Sequence, residues 1–362
     1  MDHSGRLRWL QAALPENKLD LLLVTHLPNV RYLCGFTGSA GALLVSDRGA
    51  TFFTDGRYIA QARAEVSSAR IVIARKAPFL AAAESLTGPR SGRMGKQVLG
   101  VEGETMPAAV RDRIAALLAS RFKFHSAPPV VERARMVKDV EEISSIRRAV
   151  EMGAGLFPIL RRKIRPGARE VEVAAAMEYA ARCAGAEGMS FSTIIASGKR
   201  SAVVHGRAAA AIPRRGFVVC DFGVILAGYC SDRTRTVHVG RPSRAARQMY
   251  EAVLEAQQAA IASVRAGVTA GEVDGAARRV LRQWKLARYF THSTGHGLGL
   301  EIHEAPRLAA AQTQELEPGM VITIEPGVYI PGKWGVRIED VVVVTPSGCE
   351  VLAPRDKELI VI

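Results

Sequence analysis

Residues 217–234 read FVVCDFGVILAGYCSDRT, in which two largely apolar segments flank a turn and each carries an aspartate. The first segment leads to Asp221, the chain turns near Ala227-Gly228, and it returns through Asp232. An antiparallel hairpin about this turn would place Asp221 and Asp232 opposite one another, to within one residue of register. We therefore expect two carboxylates to lie together on a mostly apolar sheet.

A second pair of acidic residues has the same setting further along the chain. The run VITI, residues 321–324, leads into Glu325, and after a Pro-Gly turn the chain returns through Arg337 and Glu339. Residues two apart on a strand share a face, so Arg337 is placed beside Glu339, which favours an internal ion pair. Buried carboxylates are costly when unpaired, and four converging ones repel one another strongly. Cations must therefore neutralise the set Asp221, Asp232, Glu325 and Glu339.

Between the two predicted hairpins lies a glycine-rich segment with three histidines. It reads THSTGHGLGLEIH over residues 291–303 and contains His292, His296 and His303. The glycines disfavour a helix, so the spacing of His292 and His296 does not represent the helical zinc-protease motif. Carboxylate ligands with one imidazole suit a manganese- or cobalt-like ion better than a thiolate-type zinc site. Two divalent ions would balance four carboxylates and could hold a bridging hydroxide, the nucleophile of two-metal hydrolases.

Composition and length exclude several classes of protein. With 362 residues the chain is long enough for two domains, and its five scattered cysteines offer neither a disulfide framework nor a zinc ribbon. No apolar run reaches ~18 residues and no signal-peptide core begins the chain, so we expect a cytoplasmic protein with no membrane partner. The net charge of +14 is spread evenly, and its densest cluster, residues 161–165, fits a solvated helix face. We therefore expect no nucleic-acid partner.

The order of predicted elements indicates two domains of different size. Residues 1–126 alternate strands and helices as a small α/β domain. A Pro-Pro pair then interrupts regular structure, which predicts a linker over residues 127–138. The second domain spans residues 139–362 and opens with Asp139, the N-cap of a predicted capping box.

The second domain contains a short internal repeat. The segment IRPG at residues 164–167 matches VRAG at residues 264–267, and Glu-Val pairs follow at the same spacing, at 172–173 and 272–273. Each match precedes a predicted helix that leads into strands. Two copies of a helix-plus-strand unit would face each other across a cleft, with chance as the alternative explanation of so short a match.

These motifs resemble the creatinase and proline-peptidase family, whose catalytic domain has the pita-bread fold. The resemblance covers nearly the whole chain and implies an α+β fold: a pita-bread catalytic domain with a pseudo-twofold internal repeat, preceded by a smaller α/β creatinase-like domain. It also implies two divalent metal ions, Mn²⁺ first, with Co²⁺ or Zn²⁺ as alternatives. The residues that match the family's five metal ligands are Asp221, Asp232, His296, Glu325 and Glu339.

The resemblance also implies which of these five residues binds which metal ion. Asp221 and Asp232 would bind one ion, His296 and Glu325 the other, and Glu339 would bridge them. Glu325 would in addition move the proton, as general base and then as general acid.

Two histidines match positions at which the family contacts its substrate. They are His205, in SAVVHG at residues 201–206, and His303, in HEAP at residues 303–306. The resemblance implies that both position the substrate and stabilise the developing oxyanion.

Four further residues complete this comparison. Arg337 is placed in the catalytic set, and His292 would either contact the substrate side of the metal site or brace its loop. Two positions depart from the family pattern, Val204 where a proline is frequent and Phe217 where an aspartate is frequent.

The first domain narrows the resemblance to one branch. The segments NVRYL (29–33), GFTGSAG (35–41) and TDGRY (54–58) are similar to the N-terminal domain of bacterial Xaa-Pro aminopeptidases. Methionine aminopeptidases lack this domain, and creatinase lacks the metal site. The resemblance implies an Xaa-Pro aminopeptidase, a homodimer or homotetramer, acting on peptides with proline at the second position. The alternatives are an Xaa-Pro dipeptidase (prolidase), which accepts dipeptides only, and a non-catalytic binding protein of the same fold.

Overall fold

The structure, a computed structural model, describes residues 1–88, 97–118, 121–354 and 357–362. The chain divides into two units, Met1–Arg135 and Met136–Ile362. The domain limits at residues 126 and 139 that the sequence suggests stay predictions. Within the described residues, none of the helices combines the length and the apolar character that crossing a membrane requires.

The stretch for which we expected a linker contains a helix. The helix Val130–Met136 follows directly on the two prolines at 128 and 129. Proline lacks a backbone N–H donor. This costs nothing at the start of a helix, because the first backbone N–H groups of a helix have no intrahelical acceptor. A proline pair can therefore precede a helix as well as interrupt one.

The first unit contains one six-stranded mixed sheet. Its strands are β1 (Leu21–Val24), β2 (Gly41–Ser46), β3 (Gly49–Asp55), β4 (Arg70–Ala74), β5 (Gln97–Glu102) and β6 (Phe122–Ala127). They lie in the order β4-β3-β2-β1-β5-β6, with β2 antiparallel to both neighbours and every other pair parallel. All four residues of β1 are buried, as expected of a central strand. The helices are α1 (His3–Glu16), α2 (Leu27–Cys34), α3 (Ile59–Glu65), α4 (Pro78–Ser85), α5 (Ala108–Leu118) and α6 (Val130–Met136).

The second unit combines four long helices with four small sheets. The helices are α7 (Val140–Lys163), α8 (Glu170–Cys183), α9 (Arg244–Ser263) and α10 (Ala270–Gln283). The strands of its first half are β7 (Gly188–Met189), β8 (Ile194–Ser197), β9 (Gly216–Phe222), β10 (Val224–Leu226), β11 (Tyr229–Cys230) and β12 (Arg233–Val239). Those of its second half are β13 (Gly295–Gly297), β14 (Glu304–Leu308), β15 (Val321–Ile324), β16 (Gly327–Ile330), β17 (Trp334–Arg337), β18 (Asp340–Val344) and β19 (Cys349–Val351). The sheet orders are β11-β10-β7, β12-β9-β8, β14-β13-β15-β18-β19 and β16-β17.

The internal repeat appears in the structure as two equivalent helix pairs. Helices α8 and α10 begin and end at positions exactly one hundred residues apart, and so do the C-terminal ends of α7 and α9. In the turn before each second helix, Gly167 and Gly267 adopt positive φ values of 83° and 79°. The predicted repeat is therefore confirmed. Each half also has its own apolar core, one around α7 and α8 and one around α9 and α10.

The hairpin that carries the two aspartates differs from the prediction in register. The turn is at Ala227-Gly228 as expected, and both residues have positive φ, 50° and 78°. Such a two-residue turn pairs Leu226 with Tyr229 and, further along, Asp221 with Thr234. Counted in this register, Asp232 lies two residues away from Asp221's partner. The two aspartates are therefore not opposite residues: Asp221 pairs with Thr234, and Asp232 lies immediately before β12.

Candidate metal centre

The four carboxylates lie at the ends of strands in the second unit. Asp221 is the penultimate residue of β9, and Asp232 comes immediately before β12. Glu325 follows the last residue of β15, and Glu339 precedes the first residue of β18. Because Ile324 pairs with Asp340, these two glutamates flank the last paired residues of their strands. Antiparallel pairing thus brings each pair of carboxylates together from two separate parts of the chain.

One imidazole joins this group of carboxylates. Nε2 of His296, which lies in β13, is 3.6 Å from Oδ2 of Asp232 and 3.5 Å from Oε1 of Glu325. Asp232, His296 and Glu339 each offer a ligand atom within 4.8 Å of the other two. Nδ1 of His296 is 3.0 Å from the carbonyl oxygen of Gly297. Donation from Nδ1 leaves the Nε2 lone pair facing the carboxylates, the tautomer that a metal ligand needs.

Arg337 supplies the protein's own cation to this cluster. Its side chain is 3% exposed, and it donates a short charge-assisted hydrogen bond to Asp221. Its Nε lies 3.0 Å from Oγ1 of Thr234 and 4.0 Å from Oε2 of Glu325. The ion pair that we expected beside Glu339 is formed with Asp221. The strand that holds Arg337 ends at this residue, so the two-residue period of a strand does not extend to Glu339.

The donor atoms fit divalent ions. Among the described residues, Oδ1 of Asp221 and Oε1 of Glu339 are buried and have no hydrogen-bond partner. The second oxygen of Glu339 accepts from Oγ1 of Thr234 at 2.7 Å. Buried carboxylate oxygens without donors are costly unless a cation binds them. Four carboxylates facing one arginine therefore leave negative charge for two divalent ions to neutralise.

The pKa values of the cluster also indicate that its buried carboxylates need a cation. Burial, reinforced by the Asp221 carboxylate, raises the pKa of Glu339 to about 8. Burial and the neighbouring carboxylates also raise the pKa values of Asp232 and Glu325 well above the usual range. Burial lowers the pKa of His296 to about 4, so that its imidazole is neutral at neutral pH. Metal binding must consequently displace protons from carboxylates but none from His296.

We expect the stability of the metal-free protein to fall as pH rises from about 5 to about 8. Glu339 has a usual pKa of 4.5 and a folded-state pKa of about 8, so the folded state holds the extra proton in this window. Each such proton contributes a negative slope of up to about 1.4 kcal/mol per pH unit to the free energy of unfolding. Urea unfolding in EDTA across this range measures the slope. Glu339→Gln, which cannot titrate, should give a flatter profile, and equal slopes for both proteins would contradict the expectation.

The three other candidate histidines, His205, His292 and His303, have different surroundings. The ring of His303 packs edge-on against that of His296, with centroids 4.5 Å apart. His292 contacts Tyr329 through Nε2, at 3.0 Å, and the carbonyl oxygen of Ser293 through Nδ1, at 2.8 Å. These contacts favour the bracing alternative for His292. His205 is exposed, and its proximity contributes to the lowered pKa values of His292 and His303, after the larger effect of their burial.

The sequence analysis did not identify several buried residues that form hydrogen bonds with the cluster or with the segments that carry it. Tyr329 accepts from Arg337 at 2.7 Å, and burial raises the pKa of its hydroxyl to about 12. Asp274 in α10 is fully buried, binds Arg278 and accepts from the Thr294 hydroxyl at 2.8 Å. Asp274 could have been found from the sequence, because an aspartate within the apolar face of a helix indicates a buried polar contact. Thr234 could not, because threonine is common in strands.

A buried ion pair supports the backbone at Glu339. Arg235 in β12 and Asp340 in β18 are joined at 2.7 Å, and Arg235 also donates to the carbonyl oxygen of Glu339 at 2.5 Å. Gln257 and Lys357 donate to the other oxygen of Asp340 at 2.8 and 2.6 Å. Despite burial, these cations hold the pKa of Asp340 below its usual range. The carboxylate stays ionised, and the network links the two halves of the unit next to the cluster.

Comparisons with known proteins identify the family to which both units are similar. The model of Metallopeptidase family M24 matches residues 144–346, and that of the Creatinase/Prolidase N-terminal domain matches residues 6–137. The chain is 37% identical over 349 residues to the Xaa-Pro dipeptidase of Pyrococcus horikoshii, with 96% of each chain covered.

Two solved structures show the same architecture. The Xaa-Pro dipeptidase from Bacillus anthracis has a TM-score of 0.92 at 40% identity and covers 100% of this chain and 99% of its own. The X-Pro aminopeptidase from Thermotoga maritima has a TM-score of 0.87 at 34% identity and covers 100% of both chains. The predicted fold class, a creatinase-like domain followed by a pita-bread domain, is confirmed, and this chain belongs to metallopeptidase family M24.

Proposed function

We propose that this metallopeptidase hydrolyses Xaa-Pro dipeptides, with two Mn²⁺ ions held by the carboxylate cluster. The observation that carries the chemistry is the convergence of Asp232, His296 and Glu339, with ligand atoms within 4.8 Å of one another. The relatives named Xaa-Pro dipeptidase favour the dipeptidase alternative over the aminopeptidase that we expected from the sequence. The predicted homodimer or homotetramer stays a prediction.

Each ligand has a place in this proposal. Asp221 and Asp232 would hold one ion, His296 and Glu325 the other, and Glu339 would face both. The unpartnered oxygens of Asp221 and Glu339 support this division. A donor set of many oxygens and one imidazole favours manganese. When bound, the two ions would supply an activated water and polarise the scissile carbonyl group.

The protein's own groups would move the proton and orient the substrate. Burial raises the pKa of Glu325 well above its usual range, which suits a carboxylate that accepts a proton from water and then donates it. The acceptor of that proton is the prolyl nitrogen, which has no hydrogen of its own and leaves poorly without one. His303, beside His296, and His205 would donate to the carbonyl oxygen as negative charge develops on it.

Arg307 supports a preference for dipeptides. In the pair of strands β13 and β14, Arg307 lies opposite His296, so both side chains project from the same face of the sheet. Arg307 is exposed. A guanidinium there could bind the carboxylate of a C-terminal proline as a charged pair. A longer peptide has an uncharged amide at this position and would lose that interaction.

Rates on matched peptides test the proposed function. With added Mn²⁺, we expect hydrolysis of Ala-Pro and little release of alanine from Ala-Pro-Ala. Cleavage of both peptides at similar kcat/KM would instead support the aminopeptidase alternative, the activity named for the Thermotoga maritima neighbour. Binding of Mn²⁺ without hydrolysis of either peptide would refute the proposed activity while leaving the metal site intact.

Arg307→Met should weaken hydrolysis of the dipeptide selectively. We expect KM for Ala-Pro to rise by about tenfold, the value of one exposed charge-assisted contact of 1–1.5 kcal/mol, with little change in kcat. Arg307→Lys should retain part of the affinity, and Arg165→Met on the surface serves as the matched control. Equal KM values for the wild type and Arg307→Met would exclude the carboxylate contact.

A further inference from the structure

One buried carboxylate closes the base of the loop that carries His205, which we call the His205 loop (residues 198–208). Glu170, the first residue of α8, is 0% exposed. Its Oε1 accepts from the backbone and hydroxyl of Ser197 at 2.8 and 2.7 Å. Its Oε2 accepts from the two amides at residues 209–210 at 2.8 and 2.9 Å. One side chain thus joins both ends of the His205 loop.

The charge state of Glu170 suits this arrangement. Burial alone would raise its pKa, but the hydrogen bonds from the Ala209 amide, the Ser197 hydroxyl and the neighbouring amides lower it below the usual value. Glu170 is therefore ionised at neutral pH and can only accept hydrogen bonds. Hydrogen-bond donors face both oxygens of Glu170. In Glu170→Gln the side-chain NH₂ group would therefore face one of the two pairs of donors and could not accept their hydrogen bonds.

The middle of the His205 loop is held at two further points. The backbone of Ser201 packs so closely on β17 that a Cβ on Gly335 would lie 1.9 Å from its carbonyl oxygen. The hydroxyl of Ser201 accepts from Gly335 N at 2.8 Å. Arg337, which binds Asp221, also donates to the carbonyl oxygen of Val204 at 3.2 Å. The residue immediately before His205 is thereby tied to the metal cluster.

Glu170 itself lies outside the cluster. None of the described hydrogen bonds of the Glu170 side chain involves a candidate metal ligand or a histidine. Arg200, within the loop, contacts Glu170 at 3.3 Å and also donates to the carbonyl oxygen of Arg207, which joins the two arms of the loop near its base. Every connection of Glu170 described here leads to the loop or its ends.

We propose that Glu170 is a positioning residue for catalysis: it fixes the backbone from which His205 meets the substrate. The proposal rests on the proposed function, in which His205 contacts the scissile carbonyl group. Glu170 acts through the loop and touches no reacting atom. A displacement of a catalytic group by about 1 Å can cost about 100-fold in rate, so a loosened loop base would have a measurable effect.

A double-mutant cycle on the metal-loaded full chain tests the proposal. We expect Glu170→Gln to lower kcat/KM for Ala-Pro by about 10- to 100-fold. In the His205→Ala background the same change should cost less than about threefold, because the residue that Glu170 positions is gone. Glu172→Gln is the matched control, since Glu172 lies on the same helix two residues away and is exposed. Equal losses in both backgrounds would overturn the proposal.

Hydrogen exchange supplies a readout that does not depend on activity. In Glu170→Gln, the amides of residues 197–210 should exchange faster, while peptides from α10 and the Mn²⁺ stoichiometry stay unchanged. Unchanged exchange in the His205 loop would refute the proposal whatever the activity. If the wild type hydrolyses no Xaa-Pro peptide, the proposed function fails, and exchange still decides whether Glu170 holds the loop.

A milder variant covers the case in which Glu170→Gln does not fold. Arg200→Met removes a partly exposed partner of Glu170 and leaves the buried carboxylate and its backbone donors in place. We expect a smaller loss of kcat/KM, roughly 3- to 10-fold, that again vanishes in the His205→Ala background. A loss that persists without His205 would count against the proposal.

Discussion

Glu339→Gln is expected to abolish dinuclear metal binding and to lower kcat/KM by more than about 100-fold, since even outer partners of metal ligands are worth 10- to 100-fold. The substitution keeps the shape of the side chain and removes its charge. Oε1 of Glu339 is buried without a hydrogen-bond partner among the described residues, and a neutral amide binds a divalent ion poorly in its place. Metal analysis after gel filtration should give fewer than two Mn²⁺ ions per chain.

The same variant should be more stable than the wild type when both are free of metal. It removes one of four mutually repelling buried carboxylates. Burial of Glu339, with the nearby carboxylate of Asp221, raises the pKa of Glu339 to about 8. We therefore expect a higher Tm in EDTA and a smaller rise in Tm on adding Mn²⁺. Glu350→Gln, an exposed residue of β19 paired with Arg147, is the matched control; it should change Tm in EDTA only slightly and leave the rise in Tm on adding Mn²⁺ unchanged. Full activity with two bound ions in Glu339→Gln would remove Glu339 from the ligand set.

Arg337→Met should destabilise the metal-free protein by about 3–5 kcal/mol, the cost of leaving a buried ion pair without one partner. Arg337 is the cation that Asp221 contacts directly, and it also donates to Tyr329, Thr234 and Val204. The loss should be larger at pH 8 than at pH 6, because protonation relieves the carboxylates at the lower pH. Urea unfolding in EDTA at the two pH values measures it.

Metal binding should compensate for part of that loss. Two divalent ions neutralise the carboxylates that Arg337 no longer balances, so Mn²⁺ should raise the Tm of Arg337→Met more than that of the wild type. Arg147→Met breaks an exposed ion pair and should cost less than about 1 kcal/mol. If Arg337→Met proved no more costly than Arg147→Met in EDTA, the cluster would not depend on its arginine for charge balance.

Local patterns in the chain were sufficient to identify the carboxylates and the architecture. Apolar β-branched runs that lead into Asp221 and Glu325 mark strands, and acidic residues at such positions need a cation. The hundred-residue repeat was visible because the same turn and helix start are specified twice by the same residue types, as at Gly167 and Gly267. Signals of this kind depend on neighbours in sequence and are readable from one chain.

Two local patterns were compatible with more than one structure or register. The proline pair that predicts a linker lies directly before α6, because proline is compatible with the residues that precede a helix. The limits of that linker stay predictions. The predicted pairing of Asp221 with Asp232 is wrong, because the two-residue turn at Ala227 and Gly228 sets the hairpin register and pairs Asp221 with Thr234.

The sequence alone indicated the strands that lead into Asp221 and Glu325, the internal repeat and a set of acidic residues suited to a divalent ion, because each follows from periodicity, turn chemistry and charge within short segments. Only the tertiary structure decided that Arg337 binds Asp221, that Tyr329 and Thr234 face the cluster, and that Glu170 closes the His205 loop. These contacts join residues between 8 and 116 positions apart in the chain. Their partners are set by the packing of whole strands and helices.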